Sequence, residues 1–588
     1  MFGLYFYFSQ FMEHTRLNLF RFVKPVLPVY ISVVIINIVF VGLDMLSPQI
    51  SRLLVDEVII GKNEEHLMIL LAGMMAIGVL RAILGYTREY SCDWAGSKIG
   101  CDIRKDFFKK LQGLSANFFD KNNSGELMAR VRDDVGSIWG LFTYIGMLLC
   151  EIAVHITFIL YSMFRMNWKL SIIPAVSMAI CACVALLMEK HLGPLWGQIG
   201  EANQILNNTA QENLNGVRTV KSFVRENFEI QKFSEKNQTY CSLNYQTSRI
   251  FVRYHPILQV FRYLVPIAIL CAGGIMCMND PEGFTLGELT AFVQYSMNIV
   301  WPMEMLGWLT SGFAQAKASI KRIDKIYSEL PDITEKENAI DEKIKGDITY
   351  NHVSFTTESG TPILSDVSFE IKAGQTLGIM GATGSGKTTI VNLLKRMYDV
   401  TGGSILIDGK NIKDIGIGTL RRNIAVVMQD VFLFSETING NIRLGDKETL
   451  EDEPVQKAME DSVSEEFVSK LDEKGETVIG ERGVGLSGGQ KQRLTMARAM
   501  SRNTPILVFD DSTSALDAET EKRIQKTLNE MKGMTKIIIA HRISSVKNAD
   551  KIIVLDKGLI AEEGTHEELL ANNGLYAETY ETQYGGMN

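Results

Sequence analysis

The sequence predicts an all-α transmembrane domain of six helices fused to an α/β domain. Two observations lead to this prediction: long apolar stretches fill the first 320 or so of 588 residues, and strand-like and helix-like segments alternate in the rest. The chain is also too long for one ordinary domain. We expect the transmembrane domain at 1–327, a charged and polar linker at 328–346, and the α/β domain at 347–588.

Six segments of the first domain are candidate membrane spans. A helix needs about 20 mostly apolar residues to cross a bilayer, because lipid offers the backbone no hydrogen-bond partners. Runs such as "VYISVVIINIVFVGLDML" have no polar face, which argues against buried helices of a soluble core. The candidate spans lie at roughly 26–46, 67–86, 138–163, 168–188, 257–278 and 286–313.

The charged connections set the orientation of these spans. The segments after the second and fourth spans are long and rich in Lys and Arg, which predicts that they face the cytoplasm. Within them, "NFFDKNNSGELMARVRDDV" and "AQENLNGVRTVKSFVRE" place a glycine turn amid helix formers. Each predicts a helical extension that ends in a short exposed helix touching another domain. Both termini are then cytoplasmic.

The bulk composition excludes some classes of protein. A net charge of -8 excludes a generally basic nucleic-acid binder, so no nucleic-acid partner is predicted. All eight cysteines lie in the first domain, with no pair at metal-ligand spacing. We expect them to be small buried hydrophobic residues rather than a disulfide framework.

The second domain contains a phosphate-binding loop. The stretch "GATGSGKT", Gly381 to Thr388, follows the strand-like "QTLGIM" and opens a helix-like segment, which is the context that such a loop requires. Its glycines let backbone N–H groups converge on phosphate oxygens, Lys387 reaches the terminal phosphates, and the Thr388 hydroxyl can bind Mg²⁺. The predicted phosphate-binding residues are Gly381, Thr383, Gly384, Ser385, Gly386, Lys387, Thr388 and Thr389.

An acidic pair follows a second apolar run, "ILVF". Asp510 ends this predicted strand and fits as the acid that holds Mg²⁺ through its water shell. The metal would then lie between Thr388 and Asp510, so ATP and Mg²⁺ are the predicted cofactors.

With these motifs the sequence resembles the ATP-binding cassette (ABC) transporters of the exporter type, in which six spans are fused to one cassette. The resemblance covers nearly the whole chain, and its most specific element is the signature "LSGGQKQR", Leu486 to Arg493. Further motif residues that match the family are Gln429 (the loop glutamine that senses Mg²⁺), Glu481 and Arg482 (contacts to the transmembrane domains), Asp517 (the dimer-contact loop) and His541 (the switch histidine).

The signature suits an anion on physical grounds as well. A hydroxyl and two glycines before a helix combine a hydrogen-bonding group, close backbone approach and a helix N-terminus. The candidate binding residues are Ser487, Gly488, Gly489 and Gln490. The resemblance implies that they bind the γ-phosphate of ATP held by an opposite cassette, so a chain with one cassette must dimerise. It also implies a multi-pass protein of a bacterial cytoplasmic membrane with its cassette in the cytoplasm.

Two positions depart from the family pattern. The catalytic residues that the resemblance implies are Gln429, His541 and the acid after Asp510, but that acid is Asp511 where the family has glutamate. Aspartate is one methylene shorter, and a misplacement of about 1 Å can cost on the order of 100-fold in rate. In addition, "VSFTTES" puts Thr357 where the family stacks adenine on an aromatic ring, so that either Tyr350 substitutes or the register differs.

Ionisable residues within spans are the candidate cargo-binding residues. Glu151 and His155 sit four residues apart on one face of the third span and can pair with each other. Arg81, Arg262 and Glu304 lie nearer the cytoplasmic ends, where snorkelling to the interface is an equal alternative.

The sequence therefore predicts one subunit of a heterodimeric ATP-driven exporter of amphipathic compounds (drugs, lipids or peptides), with a slow ATP site on this chain. Its expected partners are a non-identical half-transporter with a consensus glutamate, membrane lipids and a small amphipathic substrate. Three alternatives stay open at this point: a homodimeric lipid or peptide exporter, a siderophore importer with an exporter-like fold, and a non-transporting regulatory membrane ATPase.

Overall fold

The computed structural model describes residues 17–445, 450–480, 483, 485–513 and 515–584, except for the side chains of 300, 303, 304, 306, 307, 310 and 311. It divides into two compact units. The first contains Met1–Gly113 with Asn122–Leu330, and the second contains Leu114–Lys121 with Pro331–Asn588.

The described part of the first unit is helical. Five helical segments are long and apolar enough to cross a membrane: Phe20–Ile60, Glu65–Gln112, Ser124–Met166, Trp168–Asn215 and Glu226–Asn279. They contain the first five predicted spans. The sixth predicted span is instead divided between two helices that meet at Ile299, so the count of six stays a prediction.

The helices up to residue 328 are α1 (Phe20–Val23), α2 (Leu27–Leu53), α3 (Glu65–Gln112), α4 (Ala116–Lys121), α5 (Ser124–Ala129), α6 (Val135–Gly140), α7 (Gly146–Met166), α8 (Trp168–Asn215), α9 (Val217–Ser222), α10 (Glu226–Asn279), α11 (Leu286–Asn298) and α12 (Val300–Ser328). A 3₁₀ turn at Lys24–Val26 and π-helical turns at Leu54–Ile60, Arg130–Asp134 and Leu141–Ile145 connect some of them.

Helices α3 and α10 have 48 and 54 residues, so at about 1.5 Å per residue they are longer than a bilayer is thick. They continue past the apolar runs because a helix satisfies its own backbone hydrogen bonds in water as well as in lipid. This confirms that the segments after the second and fourth spans are helical.

Both predicted short helices form, as α4 and the exposed α9. Helix α4 belongs to the second unit, where the Tyr398 hydroxyl donates a hydrogen bond to Asp120 at 2.6 Å and Asn117 and Lys121 both bond to Glu358. Burial and the neighbouring Asp120 raise the pKa of Tyr398 to about 12. A segment that lies between helices of the first unit in sequence is thus bonded within the second unit.

The second unit is an α/β domain with two sheets. Its strands are β1 (Ile348–Thr356), β2 (Pro362–Ile371), β3 (Thr376–Gly381), β4 (Gly402–Ile407), β5 (Lys410–Asn411), β6 (Ile424–Val427), β7 (Ile506–Asp510), β8 (Thr535–Ile539), β9 (Lys551–Asp556) and β10 (Leu559–Gly564). Its helices after α12 are α13 (Lys387–Leu394), α14 (Ile417–Arg422), α15 (Ile438–Ile442), α16 (Asp452–Asp461), α17 (Glu465–Val468), α18 (Gly488–Met500), α19 (Ala518–Glu530), α20 (Ile543–Val546), α21 (His566–Ala571) and α22 (Leu575–Tyr584).

One sheet is antiparallel, in the order β2-β1-β4-β5, and the other has the order β10-β9-β3-β8-β7-β6. In the second sheet, β9, β3, β8, β7 and β6 run parallel. The strand β7, which lies between β8 and β6, has five buried residues, as expected for a strand covered on both faces. This parallel sheet positions the candidate site.

Candidate nucleotide-binding site

The predicted catalytic and phosphate-binding residues gather at one edge of the parallel sheet. The strands β3, β8, β7 and β6 are neighbours in that order, and their carboxyl ends lead into the phosphate loop, His541, the acidic pair and Gln429 respectively. The register aligns Ile539 with both Ile379 and Asp510, so the ends of these strands are level. Ligands of open α/β sheets bind at this edge.

Two glycines of the phosphate loop have a geometry that only glycine permits. Gly381 has φ +147°, and a Cβ there would lie 2.3 Å from the Leu555 carbonyl oxygen. Gly386 has φ +103°, and a Cβ there would lie 2.6 Å from the Leu364 side chain. The loop therefore requires both positive φ angles and close backbone approach.

Lys387 is buried at the start of α13. Its Nζ donates hydrogen bonds to the carbonyl oxygens of Gly381 and Ala382, at 2.8 and 2.9 Å. Burial lowers the pKa of Lys387, against the opposing effect of Asp510 and Asp511. A buried cation beside a helix N-terminus is suited to a phosphate, which would favour the charged form of the lysine.

Other loop residues add polar groups. The Ser385 hydroxyl is buried and has no hydrogen-bond partner among the described residues, so it is available to a ligand. Thr383, Gly384 and Thr388 are exposed, and Thr389 is half-buried.

Asp510 is 3% exposed at the end of β7. Burial raises its pKa, whereas a hydrogen bond from Thr388 and the charges of Lys387 and His541 act in the opposite direction. A hydroxyl and a carboxylate beside a phosphate loop are oxygen ligands that fit Mg²⁺, which completes its shell with water and substrate phosphates. The described residues hold no cluster of three or more His, Cys, Asp or Glu that could bind a metal by itself.

Asp511 has a left-handed backbone, with φ +42°, and its N–H donates to the Ile539 carbonyl oxygen at 3.0 Å. The aspartate is therefore tied to β8, the strand that leads to His541. His541 and Gln429 are exposed, and each lies two residues beyond the end of its strand.

The prediction that Tyr350 replaces the adenine-stacking aromatic residue is wrong. Tyr350 is 1% exposed, stacks on Phe369 at 4.4 Å between ring centroids, and donates its hydroxyl hydrogen bond to the Ile390 carbonyl oxygen at 2.8 Å. It belongs to the core. Thr357 lies in a turn just after β1, where its N–H bonds to the Thr361 carbonyl oxygen.

The signature forms the start of α18. Ser487 and Gln490 make a reciprocal capping box, with Gln490 N–H to Ser487 Oγ at 3.3 Å and Ser487 N–H to Gln490 Oε1 at 2.8 Å. Gly488 is exposed and Gly489 half-buried, and a Cβ on Gly489 would lie 3.1 Å from the Ala515 carbonyl oxygen in the predicted dimer-contact loop. Glu481 and Arg482 lie outside the described residues.

The predicted pairing of Glu151 with His155 is wrong. The Glu151 carboxylate lies 3.1 Å from Arg88 Nη1, which also donates to Asn37 Oδ1 at 2.9 Å. A guanidinium neutralises the carboxylate more fully than an imidazole four residues along the same helix. His155 is buried with its ring 6.2 Å from that of Trp301.

The other cargo candidates are distributed differently. Arg81 pairs with Asp44, and both Arg81 and Arg88 stack on Phe40. Arg262 is exposed on α10, and the Glu304 side chain lies outside the described residues. We name the set Asn37, Asp44, Arg81, Arg88 and Glu151 the polar cluster.

Sequence reasoning missed Asn37, Asp44 and Arg88. Asp44 lies within the first predicted span, so the rule that flagged Glu151 applies equally to it. Arg88 lies two residues beyond the predicted end of the second span, where an arginine is ordinary.

Comparison with known proteins places the chain in a family. Residues 30–303 match the family model for the ABC transporter transmembrane region, and residues 364–514 match the model for the ABC transporter. Over 563 residues the chain is 36% identical to the uncharacterized ABC transporter ATP-binding protein YknU of Bacillus subtilis (strain 168). The aligned region covers 95% of this chain and 96% of YknU. The chain belongs to the ABC transporter family.

Two further comparisons specify the type of ABC transporter. The chain is 38% identical over 488 residues to the probable multidrug resistance ABC transporter ATP-binding/permease protein YheI of the same organism, with 82% of each chain covered. A solved structure of a bacterial Atm1-family ABC exporter with ATP bound matches with a TM-score of 0.83 and 25% identity, over 95% of this chain and 99% of that one. This ABC transporter has the exporter architecture.

Membership of this family fixes the general activity. This ABC transporter couples ATP hydrolysis to transport, as a multi-pass protein of the cytoplasmic membrane with its ATP-binding domain on the cytoplasmic side. ABC exporters function as dimers, so this chain acts with a second half-transporter.

Proposed function

We propose that this ABC transporter is one subunit of a heterodimeric exporter of amphipathic compounds, in which the ATP site on its own phosphate loop turns over slowly. The observation that carries the proposal is Asp511, the acid next to the buried Asp510. Its side chain is one methylene shorter than the glutamate of the family pattern.

The backbone around Asp511 argues against a compensating shift. Asp510 pairs with Ile539 in the sheet, and the Asp511 N–H bonds to the same residue at 3.0 Å. Moving Asp511 outward by the length of a methylene would break this hydrogen bond. A carboxylate held about 1 Å short of the attacking water costs on the order of 100-fold in rate.

The loop expected to hold adenine supports the same assignment. Thr357 offers no aromatic ring, and Tyr350 is committed to the core. Loss of base stacking weakens binding by about 1 to 3 kcal/mol. Both departures affect the site built on this chain's own phosphate loop.

The signature that the chain lends to its partner is complete. The capping box holds Ser487 at the N-terminus of α18, where the exposed Gly488 follows it and the helix N-terminus suits a phosphate. This subunit has an impaired ATP site on its own phosphate loop and a complete signature. It is therefore suited to pair with a chain whose own phosphate-loop site has the consensus glutamate, because the complete signature then serves that site.

Within the site we propose distinct roles for these residues. Lys387, Ser385 and the loop N–H groups bind and orient the phosphates, while Thr388, Asp510 and Gln429 would hold Mg²⁺, which would neutralise phosphate charge. Asp511 orients the attacking water and His541 stabilises charge on the terminal phosphate. The retained His541 makes the site slow rather than inactive.

The polar cluster bears on the cargo. Its two arginines and two carboxylates pair with each other, so it carries no net charge for a strongly ionic substrate to neutralise. A membrane unit whose ionic groups are paired in this way suits amphipathic compounds that are neutral or weakly charged. Arg262, Glu304 and His155 stay candidate contacts.

The pairing is tested by measuring ATPase activity of the purified chain alone and with a half-transporter that has glutamate after its metal-binding aspartate. We expect weak activity alone and strong activity with the partner. Asp511→Glu should raise the activity of the chain alone by about 10- to 100-fold, and Asp511→Asn should not. Strong hydrolysis by the unmodified homodimer would exclude the heterodimer.

The division of labour between sites is tested in the assembled transporter. Ser487→Ala should remove most turnover, because Ser487 serves the competent site of the partner. Lys387→Ala should weaken ATP retention on this chain and leave partial turnover. Equal losses from the two substitutions would mean that the two sites are equivalent.

A further inference from the structure

The segment that carries His541 is bonded to the C-terminal helix α22. The carboxamide of Gln583 donates from Nε2 to the His541 carbonyl oxygen at 2.8 Å, and its Oε1 accepts from the Ile543 N–H at 3.0 Å. One side chain thus bonds the backbone on both sides of Arg542.

A second side chain holds the same segment from α19. Glu521 is 6% exposed, and its carboxylate accepts from Arg542 Nη1 and Ser545 Oγ, both at 2.9 Å, and from Ser544 Oγ at 3.4 Å. Glu521 bonds the side chains of the segment, whereas Gln583 bonds its backbone.

Packing does little to fix His541 itself. A cavity of about 300 Å³ lies beside it, lined by the start of the phosphate loop (Gly381 and Ala382), the end of β9 and the α22 residues Leu575, Tyr576 and Thr579. His541 is also beyond the sheet, since Ala540 makes the last backbone bond to β3, at 3.2 Å to the Ile379 carbonyl oxygen. Hydrogen bonds rather than contacts must therefore set its position.

We propose that Gln583 is a positioning residue for His541. A carboxamide can donate to a carbonyl oxygen and accept from an N–H through one planar group. A glutamate would keep the bond from Ile543 but would place a negative charge against the His541 carbonyl oxygen. The proposal rests on the proposed role of His541 at the ATP site.

The first test measures amide hydrogen exchange over residues 541–545 in the full-length transporter. Gln583→Ala should speed exchange in this segment about 10-fold, because the Ile543 N–H loses its partner. Gln583→Glu should have a smaller effect. The matched control is Thr582→Ala on the same helix, whose hydroxyl bonds the Glu578 carbonyl oxygen of its own helix and should leave residues 541–545 unchanged.

The second test measures turnover in the Asp511→Glu background. Gln583→Ala should lower kcat about 10-fold with the half-saturating ATP concentration unchanged, and should add nothing to the loss caused by His541→Ala. Unchanged exchange at 541–545 in Gln583→Ala, or faster exchange throughout the domain, would overturn the proposal. A His541→Ala variant with normal turnover would contradict the proposed function instead, because the exchange result does not depend on turnover.

Discussion

At the scale of single residues, Asp510 shows how the cassette is prepared for a cation. Burial and the neighbouring Asp511 raise the pKa of this carboxyl group, and the hydrogen bond from Thr388 and the charge of Lys387 only partly compensate. A raised pKa means that the folded state binds the proton more tightly than the unfolded state does. Stability from this group is thus present at low pH and is lost as the pH rises from the ordinary value of 3.8 through the folded-state pKa.

We therefore expect Asp510→Asn to stabilise the nucleotide-free transporter at pH 7, with a melting temperature raised by about 2 °C. The gain in melting temperature should shrink as the pH falls through the folded-state pKa of Asp510, because the native carboxyl group is then protonated and uncharged. The stabilisation of the transporter by Mg²⁺ and ATP should disappear in this variant. The control is Asp430→Asn, an exposed aspartate just after β6. A lower melting temperature for Asp510→Asn without nucleotide would contradict this explanation.

At the scale of elements, the phosphate loop depends on close approach between its backbone and β9. Gly381 pairs with Leu555 in the parallel sheet, and its missing Cβ would meet the carbonyl oxygen of that residue. Gly384 also has a positive φ, of +82°, but nothing lies within 4 Å of its Cβ position. An alanine at Gly381 would meet both a steric contact and backbone strain, whereas an alanine at Gly384 would meet backbone strain alone.

Gly381→Ala should lower the free energy of unfolding by about 2 to 3 kcal/mol and abolish ATP binding, because the strand backbone cannot give way. Gly384→Ala should cost only about 1 kcal/mol, the strain of a left-handed alanine. Thermal unfolding and ATP affinity, measured on both variants, check the difference. Equal destabilisation would show that close approach to Leu555 is not the cause.

At the scale of the whole molecule, the polar cluster joins α2, α3 and α7 of the membrane unit. Arg88 and Glu151 have side chains only 6% and 14% exposed, so removal of either partner leaves a buried charge. Asn37, on α2, accepts a hydrogen bond from Arg88 through its side-chain oxygen. The cluster therefore specifies how these helices pair.

Glu151→Gln should lower the melting temperature by about 5 °C, and Arg88→Met combined with Glu151→Gln should recover most of the loss, because the double variant leaves no buried charge. Efflux of one cationic and one neutral substrate should fall together in Glu151→Gln. A selective loss of cation efflux with an unchanged melting temperature would instead assign Glu151 to the cargo.

The sequence by itself determined the features that depend on local chemistry. The first five predicted spans followed from apolar run length, because the bilayer imposes a minimum length on any helix that crosses it. The phosphate loop followed from its glycines between a strand and a helix, and the short helix α9 followed from the glycine turn at Gly216. The other predicted glycine turn is wrong in detail, because Gly125 lies inside α5 and the chain turns at Asn122 and Asn123. Each of these signals lies within about 30 consecutive residues.

The tertiary structure decided the features that depend on partners distant in sequence. Glu151 pairs with Arg88, 63 positions away, although His155 lies four residues along its own helix. Tyr350 is a candidate for the adenine site by sequence position, but in the fold it stacks on Phe369 and bonds to the Ile390 carbonyl oxygen. Gln583 and His541 are 42 residues apart and meet only because α22 packs near the end of β8. Spacing shows which side chains can be neighbours along one helix. The pairing of lowest free energy is the one that neutralises the most charge and satisfies the most buried polar atoms. Those partners come together only in the folded chain, so the sequence spacing does not identify them.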